Sequence, residues 1–598
     1  MEENQFVNKF VDIIFSKNNV KYLILLFLIG FILRSIAAIN ISPNADEMVH
    51  GTHALGIINS NKLQIMDEDA VWFYITDLFY NIFGQNLFGL RFASIIFGAL
   101  SIILVYLIGK ELFNKRTALI SAFILTLSSY HILMTLAEMD TSMILFVLVS
   151  IYFLIKALKE NKNLSYYLSA LFLGIAIMIK QIAVLFIPAF FIFVLYYKYK
   201  NKEFNLKFKK LFYVLIIIFI TIIPILTFNY LLYKDKGLVD LQFSRFLGVG
   251  KETYSSIEAT LKPFRFSDLF FKYENHPPGL YEAFTILYNY APLILILGLI
   301  GIIFSYKRNK EFTLLILLSF LIPFIFLAGT SLLAIHFVFS IPLLCLFSAN
   351  FLDFIIVKAE KFRLKTKTVL YVILLILLVF TIFEVKDQGA FKGKNEITKI
   401  VDFKKDNIKE DSLVVVDSRV YRGRIVLAFN DRHYLEASLL NDLIQNQDKL
   451  PEDYSSINTY FIECVTDDCG WGTINSQPEF NKSMEDIVNF FKNSSTYLTT
   501  IKNSYGDDYF NIYNTNLRLK QSSLQLADST HSWFYYPVRY KGESFDDYET
   551  KNFFDKFLDK IAHYILYLEI LISLITPFYI FYLLFKEENE AEHNNSGI

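Results

Sequence analysis

The sequence predicts a polytopic α-helical membrane protein that crosses the bilayer about twelve times and carries a small extracytoplasmic α/β domain. Hydrophobic residues make up 54% of the 598 residues, and the mean hydropathy is +0.40. Long apolar runs recur along the chain, which is the pattern of transmembrane helices. The net charge of −1 excludes the basic surface typical of nucleic-acid binding. Three cysteines are too few for a disulfide framework.

Apolar segments long enough to cross a membrane set the predicted topology. They lie near 22–40, 89–108, 118–136, 141–157, 165–181, 182–197, 211–233, 284–305, 312–329, 333–352, 368–384 and 562–585. With the N-terminus inside, all the Lys- and Arg-rich loops fall on the cytoplasmic side, as the positive-inside rule requires. The sequence therefore predicts a multi-pass protein of the cell membrane with both termini in the cytoplasm.

Three segments on the predicted outer face are long. The first two, at 41–88 and 234–283, are loops of the membrane module at 1–384. The third, at 385–561, alternates strand-like runs at 412–417, 459–463 and 509–513 with an amphipathic helix candidate at 484–492, which predicts a small α/β domain. A final span and a cytoplasmic tail follow at 562–598.

Two of the cysteines, Cys464 and Cys469, lie in the predicted outer domain. An oxidising compartment would allow them to form a local disulfide, but spacing alone leaves this open.

Ionisable side chains gather at the predicted outer ends of the spans. Asp46 and Glu47 follow the first span. The other members of this group are Glu138, Asp140, Lys180, His276 and His336. Ionised groups at a membrane are costly and usually have a function, so this group predicts a shared polar site facing outside.

A purely structural role is the alternative for these residues and for the other charged candidates. Lys180 could be a lysine whose ammonium reaches the interface, and Arg34 could pair with a carboxylate inside the first span. The acidic run Asp67, Glu68 and Asp69 could be a solvated turn. Convergence of several separated segments on one face favours the shared site over a collection of unrelated anchors.

Such a site suits transfer of a sugar from a lipid phosphate to an acceptor hydroxyl. Asp46 or Glu47 can take the proton of the acceptor, a step typically worth about 10²–10⁴-fold in rate. Lys180, Arg34 and the histidines can stabilise the departing phosphate. Direct displacement by one activated hydroxyl would invert the anomeric carbon.

The order of several sequence pieces resembles the GT-C membrane glycosyltransferases of the dolichyl-phosphate-mannose protein mannosyltransferase and lipid A aminoarabinose transferase type. Arg34 precedes the Asp46–Glu47 pair, Asp140 opens a span and Lys180 closes one. The other pieces are 83–94, 105–109, 112–116, 127–131, Pro188, and His336–Phe337 with Pro342. The resemblance covers about 35–200 well and 270–345 loosely, and it does not include the outer domain.

The resemblance implies a polyprenyl- or dolichyl-phosphate sugar as donor and a protein- or lipid-linked acceptor. It further implies that Asp46 is the catalytic base with Glu47 as helper, and that Asp140 supports the site. Lys180 and nearby basic groups would receive the lipid phosphate.

The chain departs from the family pattern where the family often binds phosphate. Members often carry Lys- or His-Pro-Pro in the first outer loop, but this chain has Asp67, Glu68 and Asp69 there. Glu138 and His336 stand where arginine is common. Phosphate recognition would then depend on Lys180, Arg34, His276, His336, Arg245 or Arg265. Alternatively, Mg²⁺, Mn²⁺ or Zn²⁺ could be held by Asp67, Glu68, Asp69 and Glu138.

Three other classes of protein fit the sequence less well than a single-sugar transferase. The oligosaccharyltransferase branch has a Trp-Trp-Asp motif, whereas the three tryptophans of this chain are not adjacent. A secondary transporter fits twelve spans, but related halves and midplane ionisable groups are missing from the sequence. A ligand sensor would need far fewer spans. Transfer of mannose or a similar single sugar on the outer face is therefore the predicted function, with a transporter as the alternative.

Overall fold

The computed structural model describes most of the chain. The described residues are 20–44, 46–48, 50–51, 65, 70–84, 86–201, 208–237, 239, 264–272, 277–330, 332–361, 366–387, 390–447, 449, 456–466, 469, 478–529 and 548–596.

Helices make up the membrane module. They are α1 (Val20–Asn40), α2 (Ala70–Phe83), α3 (Leu87–Leu112), α4 (Lys115–Thr126), α5 (Ser129–Leu133), α6 (Met139–Glu160), α7 (Asn163–Ile179), α8 (Phe186–Lys200), α9 (Phe208–Thr221), α10 (Ile223–Lys236), α11 (Gly279–Tyr290), α12 (Pro292–Arg308), α13 (Lys310–Thr330), α14 (Ser340–Lys361) and α15 (Thr366–Asp387). Short 3₁₀ turns lie at Gln181–Leu185, Phe266–Leu269 and Ala334–Phe337. The last helix of the chain, a long one at Phe553–Ser596, returns to this module.

Among the described residues, seven helices are long and apolar enough to cross a membrane. The number rises to nine if two bent pairs, α9–α10 and α11–α12, each count as one span. Every predicted span coincides with one or more helices, which confirms the multi-pass helical class. The number of twelve and the orientation of the termini stay predictions.

The predicted span at 118–136 is two helices instead of one. Helix α4 ends at Thr126, and Ser128 begins α5 by accepting a hydrogen bond on Oγ from the backbone N–H of His131. A serine side chain that caps a new helix competes with continuation of the old one. The chain consequently turns before the segment that leads to Asp140.

The segment between the first two predicted spans also contains a helix that the sequence did not predict. Helix α2 buries Val71, Trp72, Ile75 and Tyr80. Its strong apolar side faces the rest of the module, as expected for an amphipathic helix next to a membrane.

The predicted α/β domain is present. Its elements are α16 (Glu396–Asn407), β1 (Leu413–Val416), α17 (Arg422–Phe429), β2 (His433–Glu436), α18 (Leu440–Gln447), β3 (Thr459–Cys464), α19 (Pro478–Ser494), β4 (Ser495–Lys502), β5 (Asp508–Thr515) and α20 (Ser523–Ser529). The final helix of the chain, Phe553–Ser596, is α21. The strand order is β2-β1-β3-β5-β4, with β1 parallel to β2 and β3 and the remaining pairs antiparallel.

The three strands predicted from the sequence are β1, β3 and β5, and the predicted helix at 484–492 lies within α19. Strand β2, His433–Glu436, was missed because Leu435 is its one aliphatic residue, so it lacks the apolar pattern of β1. The side of the membrane on which this domain lies stays a prediction.

The sheet packs against the membrane module through one of its faces. Val414 and Val416 of β1 belong to a hydrophobic core that is continuous with the transmembrane helices. Leu413 and Val415 belong to a second core beneath α18 and α19. Because neighbouring strand residues point to opposite faces, one face of β1 packs against the membrane module and the other packs against the helices of the α/β domain.

The end of α1 is also hydrogen-bonded to the α/β domain. Asn395 Nδ2 donates to the carbonyl oxygens of Ile39 and Ile41, each at 2.9 Å. Asn40 Nδ2 donates to the carbonyl oxygen of Ala390 at 2.7 Å. These contacts place the domain directly over the segment that holds Asp46 and Glu47.

Candidate active site

Glu47 is fully buried in a bidentate ion pair. Arg91 donates to it from Nε at 2.5 Å and from Nη2 at 2.7 Å. The backbone N–H of Ala137 donates to the same carboxylate at 2.7 Å. Arg91 Nη1 also donates to the carbonyl oxygens of Ala38 and Ile41. Glu47 therefore ties the end of α1 to α3 and to the segment before α6, and its oxygens are already used.

Asp46 occupies a different environment although it is the next residue in the chain. It is exposed, in a short helical stretch that includes Glu47 and Met48. Consecutive residues of a helix point in directions about 100° apart, so one of the two side chains can be buried while the other stays open. Asp46 is the accessible carboxylate of the predicted catalytic pair.

A second polar cluster is built on Asp140 at the start of α6. Its buried carboxylate accepts a hydrogen bond from Lys180 Nζ at 2.6 Å, and His336 Nδ1 lies 3.3 Å from its other oxygen. Lys180 Nζ and His336 Nδ1 are 3.3 Å apart. The Lys180 and His336 side chains are 17% and 18% exposed, so both are accessible to a ligand while Asp140 holds them from below.

The segment before α6 joins this cluster to Asp46. Ala137 donates to Glu47, and Glu138 lies next to His50, with 3.0 Å between Glu138 Oε2 and His50 Nδ1. The two side chains are close enough for an ion pair, but their geometry is not that of a hydrogen bond. Glu138 Oε1 is buried and makes no hydrogen bond within the described part of the chain. The structure thus brings the predicted residues Asp46, Glu47, Glu138, Asp140, Lys180 and His336 to neighbouring positions in one region.

Arg34 is placed differently from the predicted phosphate ligand. Its guanidinium is fully buried inside the helix bundle, where it donates to the carbonyl oxygens of Gly30 and Leu125. Its Nη2 also lies 2.9 Å from His131 Nδ1. A lipid phosphate could reach Arg34 only if these packed helices separated.

Arg265 is exposed just before the 3₁₀ turn Phe266–Leu269. Five further predicted site residues lie outside the described residues. They are Asp67, Glu68, Asp69, Arg245 and His276.

Within the described residues, no group of three or more His, Cys, Asp or Glu side chains is arranged to hold a metal ion. Glu138 is the one candidate metal ligand that the structure describes, and its neighbour is His50. The predicted divalent metal stays a prediction, because Asp67, Glu68 and Asp69 are not among the described residues.

Two residues of the site were not singled out as functional from the sequence. Arg91 could have been found, since a charge inside a predicted span signals a buried partner. His50 also had a signal, because it lies four residues after Asp46 and shares its helical face.

Comparisons with known proteins agree with this architecture. A family model described as dolichyl-phosphate-mannose-protein mannosyltransferase matches residues 67–228. A protein of Aquifex aeolicus (strain VF5), named only as an uncharacterized protein, is 26% identical over 154 residues. That match takes 25% of this chain and 31% of the relative, so the chain matches about a third of the relative's length.

Solved structures of ArnT show the same fold. Two crystal structures of ArnT from Cupriavidus metallidurans, one apo and one bound to undecaprenyl phosphate, superpose with TM-scores of 0.51 and 0.50. Each is 10% identical, and the match covers 83% of this chain and 98% of ArnT. The archaeal oligosaccharyltransferase AglB from Archaeoglobus fulgidus has a TM-score of 0.48 at 13% identity, over 80% of this chain and 73% of AglB.

The chain therefore shares the fold of ArnT. The family-model match and the ArnT superposition confirm the resemblance predicted from the order of the sequence pieces.

Proposed function

We propose that this protein is an integral-membrane glycosyltransferase that moves a single sugar from a polyprenyl-phosphate donor to an acceptor hydroxyl. The observation that carries the proposal is that the structure presents two accessible groups of opposite charge on segments that contact each other through Glu47, His50 and the residues before α6. Asp46 supplies an exposed carboxylate, and Lys180 supplies a partly exposed cation. The segment that contacts Glu47 and His50 leads directly to Asp140, which holds Lys180.

Asp46 acts as the general base. It takes the proton of the acceptor hydroxyl while the acceptor oxygen forms its bond to the anomeric carbon of the sugar. The bond between that carbon and the phosphate oxygen breaks, and the electron pair leaves with the polyprenyl phosphate. A single displacement of this kind inverts the anomeric configuration. Glu47 holds the backbone of Asp46 in place through the hydrogen bonds that its oxygens accept from Arg91 and Ala137.

Lys180 and His336 stabilise the departing phosphate. The phosphate gains negative charge as the bond breaks, and a fixed cation next to it lowers the barrier. Asp140 orients both side chains, with its oxygens 2.6 Å from Lys180 Nζ and 3.3 Å from His336 Nδ1. Because Asp140 is in the first turn of α6, the positive end of that helix also favours its charge.

The lipid chain of the donor has a suitable path beside α7, the helix that ends just before Lys180. An apolar groove between α7, α8 and α9 is lined by residues such as Leu173, Phe190, Val194 and Ile218. A phosphate bound at Lys180 would place its polyprenyl chain at this helix. ArnT, which has the same fold, binds undecaprenyl phosphate, and this supports a polyprenyl phosphate as donor.

The finer features of the reaction follow the family model. Its name supports mannose or a similar sugar, dolichyl phosphate as the lipid, and a protein acceptor, with a lipid-linked glycan as the other acceptor class. We place the active site and the α/β domain on the outer face of the cell membrane. A divalent metal, if present, would lie at the acidic run that includes Asp67 and Glu68.

The test is transfer of radiolabelled sugar by purified protein in detergent. Polyprenyl-phosphate [³H]mannose serves as donor and native membrane extract as acceptor. Label should move with the wild type and not with Asp46→Asn. Asp402→Asn, which alters an exposed carboxylate of the α/β domain, is the matched control and should retain transfer. Equal transfer by Asp46→Asn and wild type would remove Asp46 as the base, and no transfer by a folded wild type from any sugar donor would favour a transporter.

A further inference from the structure

The turn after β1 and the start of α17 lie against the segment of the membrane module that holds Asp46, Met48 and Gly51. A Cβ on Gly423 would be 2.7 Å from Met48 Cβ and 3.2 Å from the Met48 carbonyl oxygen. A Cβ on Gly51 would be 2.9 Å from a methyl carbon of Leu427 in α17. The two segments therefore approach each other more closely than ordinary side chains permit, and glycine on each side makes the approach possible.

A salt bridge fixes this contact just before Asp46. Glu396 is fully buried and accepts hydrogen bonds from Ser42 Oγ at 2.7 Å and from Arg424 Nη1 at 2.5 Å. The guanidinium of Arg424 also lies over the ring of Tyr509, 5.3 Å from its centroid. Residues of the loop, of α16 and of α17 are thereby joined at one point.

The turn itself is held from inside the domain. The carboxylate of Asp417 is fully buried and accepts hydrogen bonds from Arg419 Nη2 at 2.6 Å and from the backbone N–H of Cys464 at 3.2 Å. Cys464 and Cys469 form a disulfide. The backbone N–H of Tyr421 donates to the carbonyl oxygen of Cys469 at 2.8 Å. The backbone of Tyr421 is thus attached to the disulfide-closed loop after β3.

The side chain of Tyr421 is half-buried and lies beside the segment that contains Asp46. A Cβ on Gly423 would be 2.9 Å from Tyr421 Cε1 and 2.7 Å from Met48 Cβ, so the ring and Met48 flank the same glycine. Burial first, and the Asp46 carboxylate second, raise the pKa of the Tyr421 phenol to about 12. The phenol therefore carries its proton at neutral pH and can donate a hydrogen bond beside the proposed base.

We propose that Tyr421 is an acceptor-positioning residue, whose hydroxyl donates a hydrogen bond to the acceptor and aims the acceptor hydroxyl at Asp46. This inference rests on the proposed function and deepens it, because it makes the α/β domain contribute a residue to the same active site. Lys180 and His336 then receive the donor phosphate, while the turn at 417–424 receives the acceptor.

Water provides the comparison that isolates this role. Hydrolysis of polyprenyl-phosphate [³H]mannose needs the donor site and Asp46 but no bound acceptor. Transfer of the sugar to membrane extract needs the donor site, Asp46 and a bound acceptor. The ratio of transfer to hydrolysis therefore reports acceptor positioning and is insensitive to the fraction of folded protein.

The experiment compares wild type, Tyr421→Phe, Tyr421→Ala and Tyr497→Phe. Tyr497 is the matched control, because it is an exposed tyrosine of β4 in the same domain whose hydroxyl contacts Thr500. We expect Tyr421→Phe to lower the ratio about five- to tenfold, the effect of one lost hydrogen bond. Tyr421→Ala should lower it further, the apparent KM for the donor should be unchanged in both, and Tyr497→Phe should match wild type.

Several results would overturn the inference. An unchanged ratio in both Tyr421 variants would remove the residue from the acceptor site. A proportional loss of transfer and hydrolysis, or a raised donor KM, would make Tyr421 a structural residue only. A wild type that neither transfers nor hydrolyses the donor would reject the proposed function itself and, with it, the acceptor site, a result distinct from an active enzyme indifferent to Tyr421.

Discussion

The neighbouring carboxylates Asp46 and Glu47 should respond to substitution in opposite ways. Asp46→Asn removes an exposed base, so the rate of sugar transfer should fall by about 10²–10⁴-fold while the protein stays folded. Glu47→Gln removes one member of a fully buried, bidentate pair with Arg91. Breaking such a pair costs about 3–5 kcal/mol of the free energy of unfolding, because the remaining charge is left buried.

The geometry of Arg91 sets the size of the second effect. Two of its nitrogens donate to Glu47, and Nη1 donates to the carbonyl oxygens of Ala38 and Ile41. The carbonyl contacts survive in Glu47→Gln, and the amide can accept one hydrogen bond but carries no charge. We therefore expect a less stable protein whose folded fraction still transfers sugar. The double variant Glu47→Gln with Arg91→Met should recover part of the lost stability, since it removes the unpaired charge as well.

Two measurements on each variant separate the effects. One is the rate of [³H]mannose transfer at saturating donor, normalised to the folded fraction from size-exclusion chromatography in detergent. The other is thermal unfolding in the same detergent. A normalised rate that falls more than 10²-fold in Glu47→Gln but not in Asp46→Asn would refute the assignment of the base. Unchanged unfolding of Glu47→Gln would refute the structural role given to its pair with Arg91.

Three further predictions concern donor binding, acceptor positioning and the turn after β1. Lys180→Met should raise the apparent donor KM about 10- to 100-fold, because a charged hydrogen bond to phosphate is lost. Lys200→Met alters an exposed lysine of α8 and should leave the donor KM unchanged. Equal donor KM values for the two variants would contradict phosphate binding at Lys180. Because the pKa of Tyr421 is raised to about 12, its contribution to stability is present below about pH 10 and is lost as the pH rises through about 12. The ratio of transfer to hydrolysis should accordingly be constant from about pH 7 to 9, and a decline over that range would show that the phenol is not the donor. Replacement of Cys464 and Cys469 by serine should lower the same ratio and leave hydrolysis measurable, since the Tyr421 backbone is bonded to Cys469; an unchanged ratio would show that the turn holds its shape without the disulfide.

Local pattern was enough to predict the helices of the membrane module and three strands of the α/β domain. Hydropathy and strand alternation are read within about 20 residues, so they need no knowledge of tertiary contacts. The break between α4 and α5 was missed, because the side chain of Ser128 ends one apolar helix and begins another without a change in hydropathy. Helix α2 was missed because the acidic residues before it suggested a solvated loop.

The candidate site was predicted in part for the same reason. Asp140, Lys180 and His336 were recognisable as charged or titratable groups at the ends of spans, and the structure brings them within hydrogen-bonding distance. Arg34 was recognisable as an unusual charge but not as a buried one. Its partners are carbonyl groups and His131, and the pattern of the first span contains none of them.

The sequence by itself determined the multi-span helical class and the presence of an α/β domain, because hydropathy and strand alternation depend on residues close together in the chain. The tertiary structure decided which of two adjacent carboxylates is accessible. Glu47 is buried by Arg91, 44 positions away, and by Ala137, 90 positions away. The turn that brings Tyr421 beside the segment of Asp46 comes from a separate domain, where Gly423 packs against Met48. A carboxylate becomes a base or a structural group according to what surrounds it, and those surroundings exist only once the chain has folded.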